Sequence, residues 1–282
     1  MAQQKAVFIK VPTDQVGFQT MPVEPERRMK DTEISVKICT ENDAEKIAEG
    51  LYACFPEDWW ERKEPAALRP AQHIRVQRLS KRLIPCFSHP TFTFIKAVLN
   101  STGETIGVAG WTHPENQGVH TVFRRSAFAH YGWQERLGWS DAELAELFEA
   151  VSNNWNEQFA KDDEERNEVM KGEPHWYLAP LITWPEFQGR GVGTKLLNWA
   201  ISQADATEPV TPMYLESRPS ARAVYMHKGF VPVGQYNMVR RGPAVVRGLE
   251  AEEEEEEGKE VGKAESVGVQ IVAKETGAET VG

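Results

Sequence analysis

The stretch TWPEFQGRGVGTKLLNWA, residues 183–200, decides the fold. An apolar run stops at Pro185, and glycines follow at alternate positions, Gly189, Gly191 and Gly193. A helical pattern then starts, predicted over 194–204, with Leu196, Leu197, Ala200, Ile201 and Ala204 on one stripe. Glycines at that spacing let the backbone curl with its N–H groups facing inward, and a helix start adds unpaired N–H groups and partial positive charge. Such a loop is built for an anion. Two familiar phosphate loops fail on spacing. Thr194 separates Gly193 from Lys195, whereas a P-loop needs Gly directly before Lys. The run is G-x-G-x-G, whereas a dinucleotide fingerprint needs G-x-G-x-x-G. What remains is Q-x-x-G-x-G, residues 188–193, between a strand and a helix.

The 282 residues, 40% hydrophobic and 26% charged, give room for one sizeable core. The net charge of −10 is uneven: residues 252–257 are an unbroken glutamate run in a segment poor in aromatics. Residues 242–282 therefore read as an acidic, disordered tail, and 1–30 as an extended N-terminal segment, leaving 31–241 as the folded domain. Nothing in the charge balance suggests a nucleic-acid surface, and no run of eighteen apolar residues suggests a membrane span. Cys39, Cys54 and Cys86 are odd in number and lack metal-ligand spacing, which fits buried thiols in a reducing compartment and no metal. The cytoplasm is the simplest address, with the nucleus left open.

Elsewhere the pattern alternates. ISVKICT (34–40) reads as a strand, and Thr40 to Asp43 as a cap for a helix in which Ile47, Leu51, Cys54 and Phe55 share a face. TFTFIKAVLN (91–100) and TIGVAGWTHP (105–114) read as a hairpin. A helical insertion at about 115–171 carries a capping box at Ser140 and Glu143, then Leu144, Leu147, Phe148, Val151, Trp155 and Phe159 as the stripe of one long helix. There follow the strand HWYLAPLITW (175–184), the glycine loop and its helix, the strand PMYLES (212–217), a short helix over 219–228 closed by Gly229, and the strand FVPVGQYNMV (230–239).

From His175 to Val239 the chain resembles the GNAT superfamily of acetyl-CoA-dependent N-acetyltransferases. The resemblance rests on the order of HWYLAPLITWPEF, QGRGVG, YLES and AVYMHKGFVPVG, and is nearest in style to fungal and puromycin-acetyltransferase-like members. It implies an α/β (α+β) fold, a twisted mixed sheet of about seven strands with helices on both faces, parallel where two central strands splay apart around acetyl-CoA. Gln188, Gly189, Arg190, Gly191, Val192, Gly193 and Thr194 would then hold the pyrophosphate. Backbone groups near Ile182 and Thr183 would pair with the pantetheine arm. Proline lacks a ladder donor, so Pro180 marks a break or bulge in its strand.

The resemblance makes Tyr225 the acid that protonates the departing thiolate. For the base, Glu216 at the exit of YLES competes with His175 at the entry of its strand, and water is a third option. The acceptor site would be built from CFPEDWWERKEP (54–65) and the insertion. There Trp59 and Trp60 either stack on the acceptor or pack as core, and Glu57, Asp58 and Glu61 would favour a cation. The expected activity is acetyl transfer from acetyl-CoA to a primary amine of a small molecule. A protein or peptide acetyltransferase and a non-catalytic acyl-CoA-binding protein are the alternatives. The sequence assigns no oligomeric state.

Overall fold

The computed structural model describes residues 27–242 except 117, 118, 120–123, 219 and 220, together with the backbone of two short strands nearer the N-terminus. Most of the 1–30 segment and the tail from residue 243 onward lie outside the described residues. The two short strands, β1 (Val11–Pro12) and β2 (Phe18–Gln19), form a small antiparallel ladder of their own. The main sheet takes β3 (Ile34–Ile38), β4 (Phe92–Leu99), β5 (Thr105–Thr112), β6 (Trp176–Thr183), β7 (Met213–Glu216), β8 (Val231–Val233) and β9 (Asn237–Arg240). Its order is β3-β4-β5-β6-β7-β9-β8, a seven-stranded mixed sheet in which only β6 and β7 run parallel.

Local chemistry explains the strands. β3 forms where ISVKI alternates, but as the edge strand it loses burial along its length, from the buried Ile34 to the exposed Ile38, and the β4–β5 hairpin turns through Gly103 at φ 76°. Between β5 and β6 the register runs Ala109↔Leu181 and then Trp111↔Leu178, so Ala179 and Pro180 together face Gly110. This is the bulge expected at Pro180. A Cβ on Gly110 would lie 2.6 Å from the Ala179 carbonyl oxygen, so only glycine fits opposite it.

Helices cover both faces. On one lie α1 (Ala44–Cys54), α2 (Glu57–Lys63), α3 (Gln72–Phe87) and the helices of the insertion: α4 (Arg125–His130), α5 (Trp133–Arg136), α6 (Asp141–Leu147) and α7 (Asn154–Met170). Their core gathers Ile47, Leu51, Leu83, Trp155 and the sheet residues Val108 and Ile182. On the other face α8 (Val192–Asp205) and α9 (Arg222–Met226) pack Leu196, Leu197, Ala200 and Tyr225 against Ile106, Leu215 and Phe230. Burial of this kind stabilises by about 25 cal/mol per Å² of apolar surface.

Three expectations need correction. The stripe from Leu144 to Phe159 is not one helix: α6 ends at Leu147 and α7 begins at Asn154, because 148–153 leaves the helix while its apolar residues stay in phase. The segment 230–239 is not one strand but the hairpin β8–β9, turned at Gly234 with φ 85°. The short helix of 219–228 is α9, with only Arg222–Met226 α-helical among the described residues of that range. The caps at Thr40 and Ser140 form as expected: Thr40 N–H donates to Asp43 Oδ2 at 2.8 Å, and Glu143 N–H to Ser140 Oγ at 3.2 Å. Among the described residues no helix is long and apolar enough to cross a membrane.

Candidate active site

The parallel pairing of β6 and β7 is short: Trp176↔Met213, Tyr177↔Tyr214 and Leu178↔Leu215. Beyond it β6 continues to Thr183 bonded only to β5, while β7 stops at Glu216. A wedge opens between the two strands. Trp184 N–H donates to the Ile106 carbonyl at 3.1 Å, which makes Thr183↔Gly107 a non-hydrogen-bonded pair. The peptide groups of Ile182 are therefore turned into the ladder with β5, and those of Thr183 toward the wedge. Consistently, the Thr183 carbonyl accepts from Gln188 Nε2 at 3.0 Å and from Cys54 Sγ at 3.3 Å. Ile182 reaches the site through its strand, not through free backbone groups; its side chain is 3% exposed in the core.

Past the wedge, Pro185–Phe187 makes a 3-10 turn, and Gly189 and Gly191 adopt φ 67° and 85°. These left-handed positions turn the chain into α8, with Gly191 as its N-cap. Lys195 N–H donates to the Gly191 carbonyl at 3.2 Å, the first bond of the helix, so the N–H groups of 191–194 have no intrahelical acceptor. Gly193 lies in that first turn, where an added Cβ would sit 3.9 Å from Leu181 Cδ2 and from Thr183 Oγ1. The whole run 188–194 thus borders the mouth of the wedge. Met29 N–H donates to the Arg190 carbonyl at 3.1 Å and lays residues 27–31 alongside.

Glu216 stands at the end of β7, on the face covered by α7. Tyr177 OH donates to its Oε2 at 2.9 Å, and its Oε1 has essentially no exposed surface. Burial pushes its carboxyl up to about 8 from the ordinary 4.5, with Asp162 adding to the rise, while the Tyr177 and Tyr214 hydroxyls and Arg166 oppose it. Arg166 lies 4.5 Å over the Tyr177 ring and bonds Asp163 at 3.0 Å, and Arg124 pairs with Asp163 as well. Tyr214 OH donates to Asn237 Oδ1 at 2.9 Å. The insertion thus delivers charged groups of α7 onto the strand ends. None of Tyr177, Asp162 and Arg166 emerged from sequence reasoning, although Tyr177 is two residues along the strand that holds His175.

Tyr225 lies in α9, 8% exposed, its ring edge-on to Phe230 with centroids 6.0 Å apart. Among the described residues its hydroxyl makes no hydrogen bond, and burial raises its pKa well above the ordinary tyrosine value. His175 is elsewhere. It precedes β6 at the closed end of the parallel ladder, hydrogen-bonds the Glu173 carbonyl through Nδ1 at 2.6 Å and is 5% exposed; burial lowers its pKa. The fold does not bring it to the wedge.

The two tryptophans divide. Trp60 is core, 2% exposed, 4.2 Å from the Tyr52 ring centroid and 5.9 Å from that of Trp155. Trp59 is half-buried against Phe55 at 4.8 Å, on the rim where the Arg218 guanidinium lies 5.6 Å from Phe55. Glu57 and Glu61 are taken up by Arg69. Beneath them the buried Glu64 binds Arg75 at 2.8 Å and Arg82 at 3.3 Å, tying α2 to α3. No group of three or more histidine, cysteine or acidic residues with the proximity to hold a metal occurs among the described residues.

No curated protein matches the sequence. Solved structures similar to it include a histone acetyltransferase HPA2-related acetyltransferase from Corynebacterium glutamicum, at 21% identity over 74% of this chain and 96% of that one, TM-score 0.46. Another is AAC(6')-Ib in complex with paromomycin and acetyl-CoA, at 17% identity over 74% and 93%, TM-score 0.41. The N-acetyltransferase from Staphylococcus aureus has 12% identity over 73% and 99%, TM-score 0.42. Residues 146–246, which span α7, the wedge, the glycine loop, Glu216 and Tyr225, match the family described as the acetyltransferase (GNAT) domain.

Proposed function

We propose that this protein transfers an acetyl group from acetyl-CoA to a primary amine of a small molecule. The observation that carries the reading is the wedge: a parallel ladder that ends at Leu178↔Leu215 and opens onto a glycine loop at a helix N-terminus. Free N–H groups of 191–194, aided by the helix dipole, suit a pyrophosphate. The Thr183 peptide group, facing the opening, suits the amides of a pantetheine arm entering as a short extra strand. Residues 31–241 form the catalytic unit, with the 115–171 insertion covering its acceptor side. The half-buried Phe55 and Trp59 offer flat apolar surface to an amine-bearing molecule. A cytoplasmic address rests on the free thiols of Cys39, Cys54 and Cys86.

In the reaction the neutral amine nitrogen attacks the thioester carbonyl carbon, a C–N bond forms, the C–S bond breaks and the thiolate leaves. Glu216, or a water it holds, takes the proton the amine must shed. A carboxyl poised near 8 is a far stronger base than an ordinary one, and an arriving ammonium would favour its ionised form. Tyr225 gives its proton to the thiolate. Its unbonded hydroxyl in an apolar surround has no competing acceptor to lose. Positioning of the two reactants supplies much of the rate.

The test is purified full-length protein with acetyl-CoA and a panel of small amines, amino acids and peptides, with free thiol as the readout. Turnover with small amines supports the reading. Turnover confined to peptides assigns a peptide acetyltransferase, and coenzyme A binding without turnover on any amine assigns a non-catalytic acyl-CoA-binding protein.

A further inference from the structure

Beside the glycine loop stands a group of cations that the chemistry above does not use. The segment 27–31 is fastened to the loop by the Met29 N–H to Arg190 carbonyl bond, and Met29 itself is buried. That contact carries Arg27 and Arg28 onto the loop: Arg27 Nη2 lies 3.9 Å from where a Gly189 Cβ would stand, and Arg28 Cγ lies 3.8 Å from that of Gly191. Arg190 lies in the loop with its guanidinium 5.8 Å over the Phe187 ring. Lys228, just after α9, is close enough to Arg28 for the two charges to repel. The nearby Lys195 and Arg240 are neutralised, by Asp31 and by a two-pronged bond to Asp205 at 2.6 and 2.8 Å. Among the described residues Arg27, Arg28, Arg190 and Lys228 have no acidic partner.

Like charges gathered without a counter-charge raise the energy of the free protein and repay it when an anion arrives. Where that anion sits follows from the direction of the site. An arm lying along Thr183 in the wedge and a pyrophosphate at 188–194 put the nucleotide end of the cosubstrate outward, on the side where segment 27–31 passes. We propose that Arg28 and Lys228, with Arg27 beside them, form a second phosphate subsite that takes the 3'-phosphomonoester of coenzyme A. A phosphomonoester carries close to two negative charges at neutral pH, and it suits a convergence of cations better than a single one. Burial and the Arg28 and Arg240 charges lower the Lys228 pKa, as befits an ammonium without its counter-ion. This inference rests on the acyl-CoA reading of the wedge and adds discrimination between coenzyme A and its 3'-dephospho form.

The experiment is titration calorimetry of the full chain with coenzyme A and with 3'-dephospho-coenzyme A, on the parent and on Arg28→Gln, Lys228→Gln and the double variant. The parent should bind coenzyme A about tenfold more tightly or better. In the double variant that preference should collapse toward unity while dephospho-coenzyme A binds as before. Higher salt should shrink the preference in the parent but not in the double variant. Equal binding of the two ligands by the parent, or equal weakening of both by the substitutions, overturns the subsite and leaves the acyl-CoA reading in place. Failure of the parent to bind either ligand overturns both. Because Arg28 is exposed, its variant should melt with the parent; if Lys228→Gln alone melts early, Arg27→Gln with Arg28→Gln takes its place.

Discussion

Replacing Glu216 by Gln removes a titratable group from a site that resists charge. With its carboxyl pushed up to about 8 from 4.5, Glu216 stays mostly protonated in the folded protein at neutral pH, whereas in the unfolded chain it is ionised. The sign follows from that order. A raised acid helps the folded state fully below 4.5, and the help is lost as pH climbs through 8. Gln has no such dependence. Between pH 5 and 8 the parent should therefore lose about 3.5 kcal/mol relative to Glu216→Gln, each pH unit in the middle of the window contributing about 1.4 kcal/mol and its half-titrated ends less. Titrations elsewhere cancel, because both proteins share them. The amide keeps an oxygen for the Tyr177 hydroxyl, so the variant should be no less stable than the parent at pH 7 and more stable at pH 9. Thermal or urea unfolding across pH 5–9 measures this; at about 2–4 °C per kcal/mol, the divergence in Tm between pH 5 and 8 amounts to roughly 7–14 °C. Turnover should move the opposite way. Parental kcat should rise with pH toward about 8, and the variant should lose about 10²–10⁴-fold with no such limb. Parallel unfolding curves at every pH would show that the carboxyl is ordinary, and a kcat within a few-fold of the parent would remove it from the chemistry.

Tyr225→Phe deletes a hydroxyl that makes no hydrogen bond among the described residues, so its Tm should match the parent while kcat falls about 10²–10⁴-fold with little change in acetyl-CoA affinity, as steady-state kinetics would report. Gly193→Ala meets only ordinary 3.9 Å contacts and should stay within a few degrees of the parental Tm, yet its methyl points at the wedge and should weaken coenzyme A binding about tenfold by calorimetry. Gly50→Ala puts a Cβ 2.5 Å from the buried Trp184 ring; overpacking of about 1–3 kcal/mol should outweigh the roughly 0.5–1 kcal/mol gained by removing a helical glycine, read as a lower Tm.

The parts of this fold that could be read in the sequence are those whose signal is local. Alternation in ISVKI, the glycine turn of the β4–β5 hairpin and the spacing at 188–193 each state their geometry in a few residues. Where reading failed, a local signal was contradicted or muted. Phe148 and Val151 keep the helical phase between α6 and α7, and only Ser152 and Asn153, at the N-cap position of α7, mark the break. Pro232 and Gly234 in FVPVGQYNMV announce a hairpin, but the apolar run hides it. The α3 stripe of Val76, Leu79, Leu83 and Cys86 was there to be seen, diluted by a basic face and by Arg82, which is buried because Glu64 meets it from another helix. The surroundings of Glu216 lie beyond any local signal. Asp162 and Arg166 come from a helix that only the tertiary fold lays across the ends of β6 and β7.

The position of β9 has a further consequence, for biosynthesis. β9 is the last strand of the sheet in sequence, yet it lies between β7 and β8. Until it arrives, β7, with Glu216 at its tip, is a bare edge with apolar Met213 and Leu215 beside unpaired peptide groups. A nascent chain can therefore assemble β3 to β6 while it is still being made, but β7 is sealed only when residue 240 has cleared the ribosomal tunnel. Chains that stop short of that point expose a sticky strand edge. Quality control in the cell would meet such fragments as aggregation-prone species, not as slightly shortened versions of the folded protein.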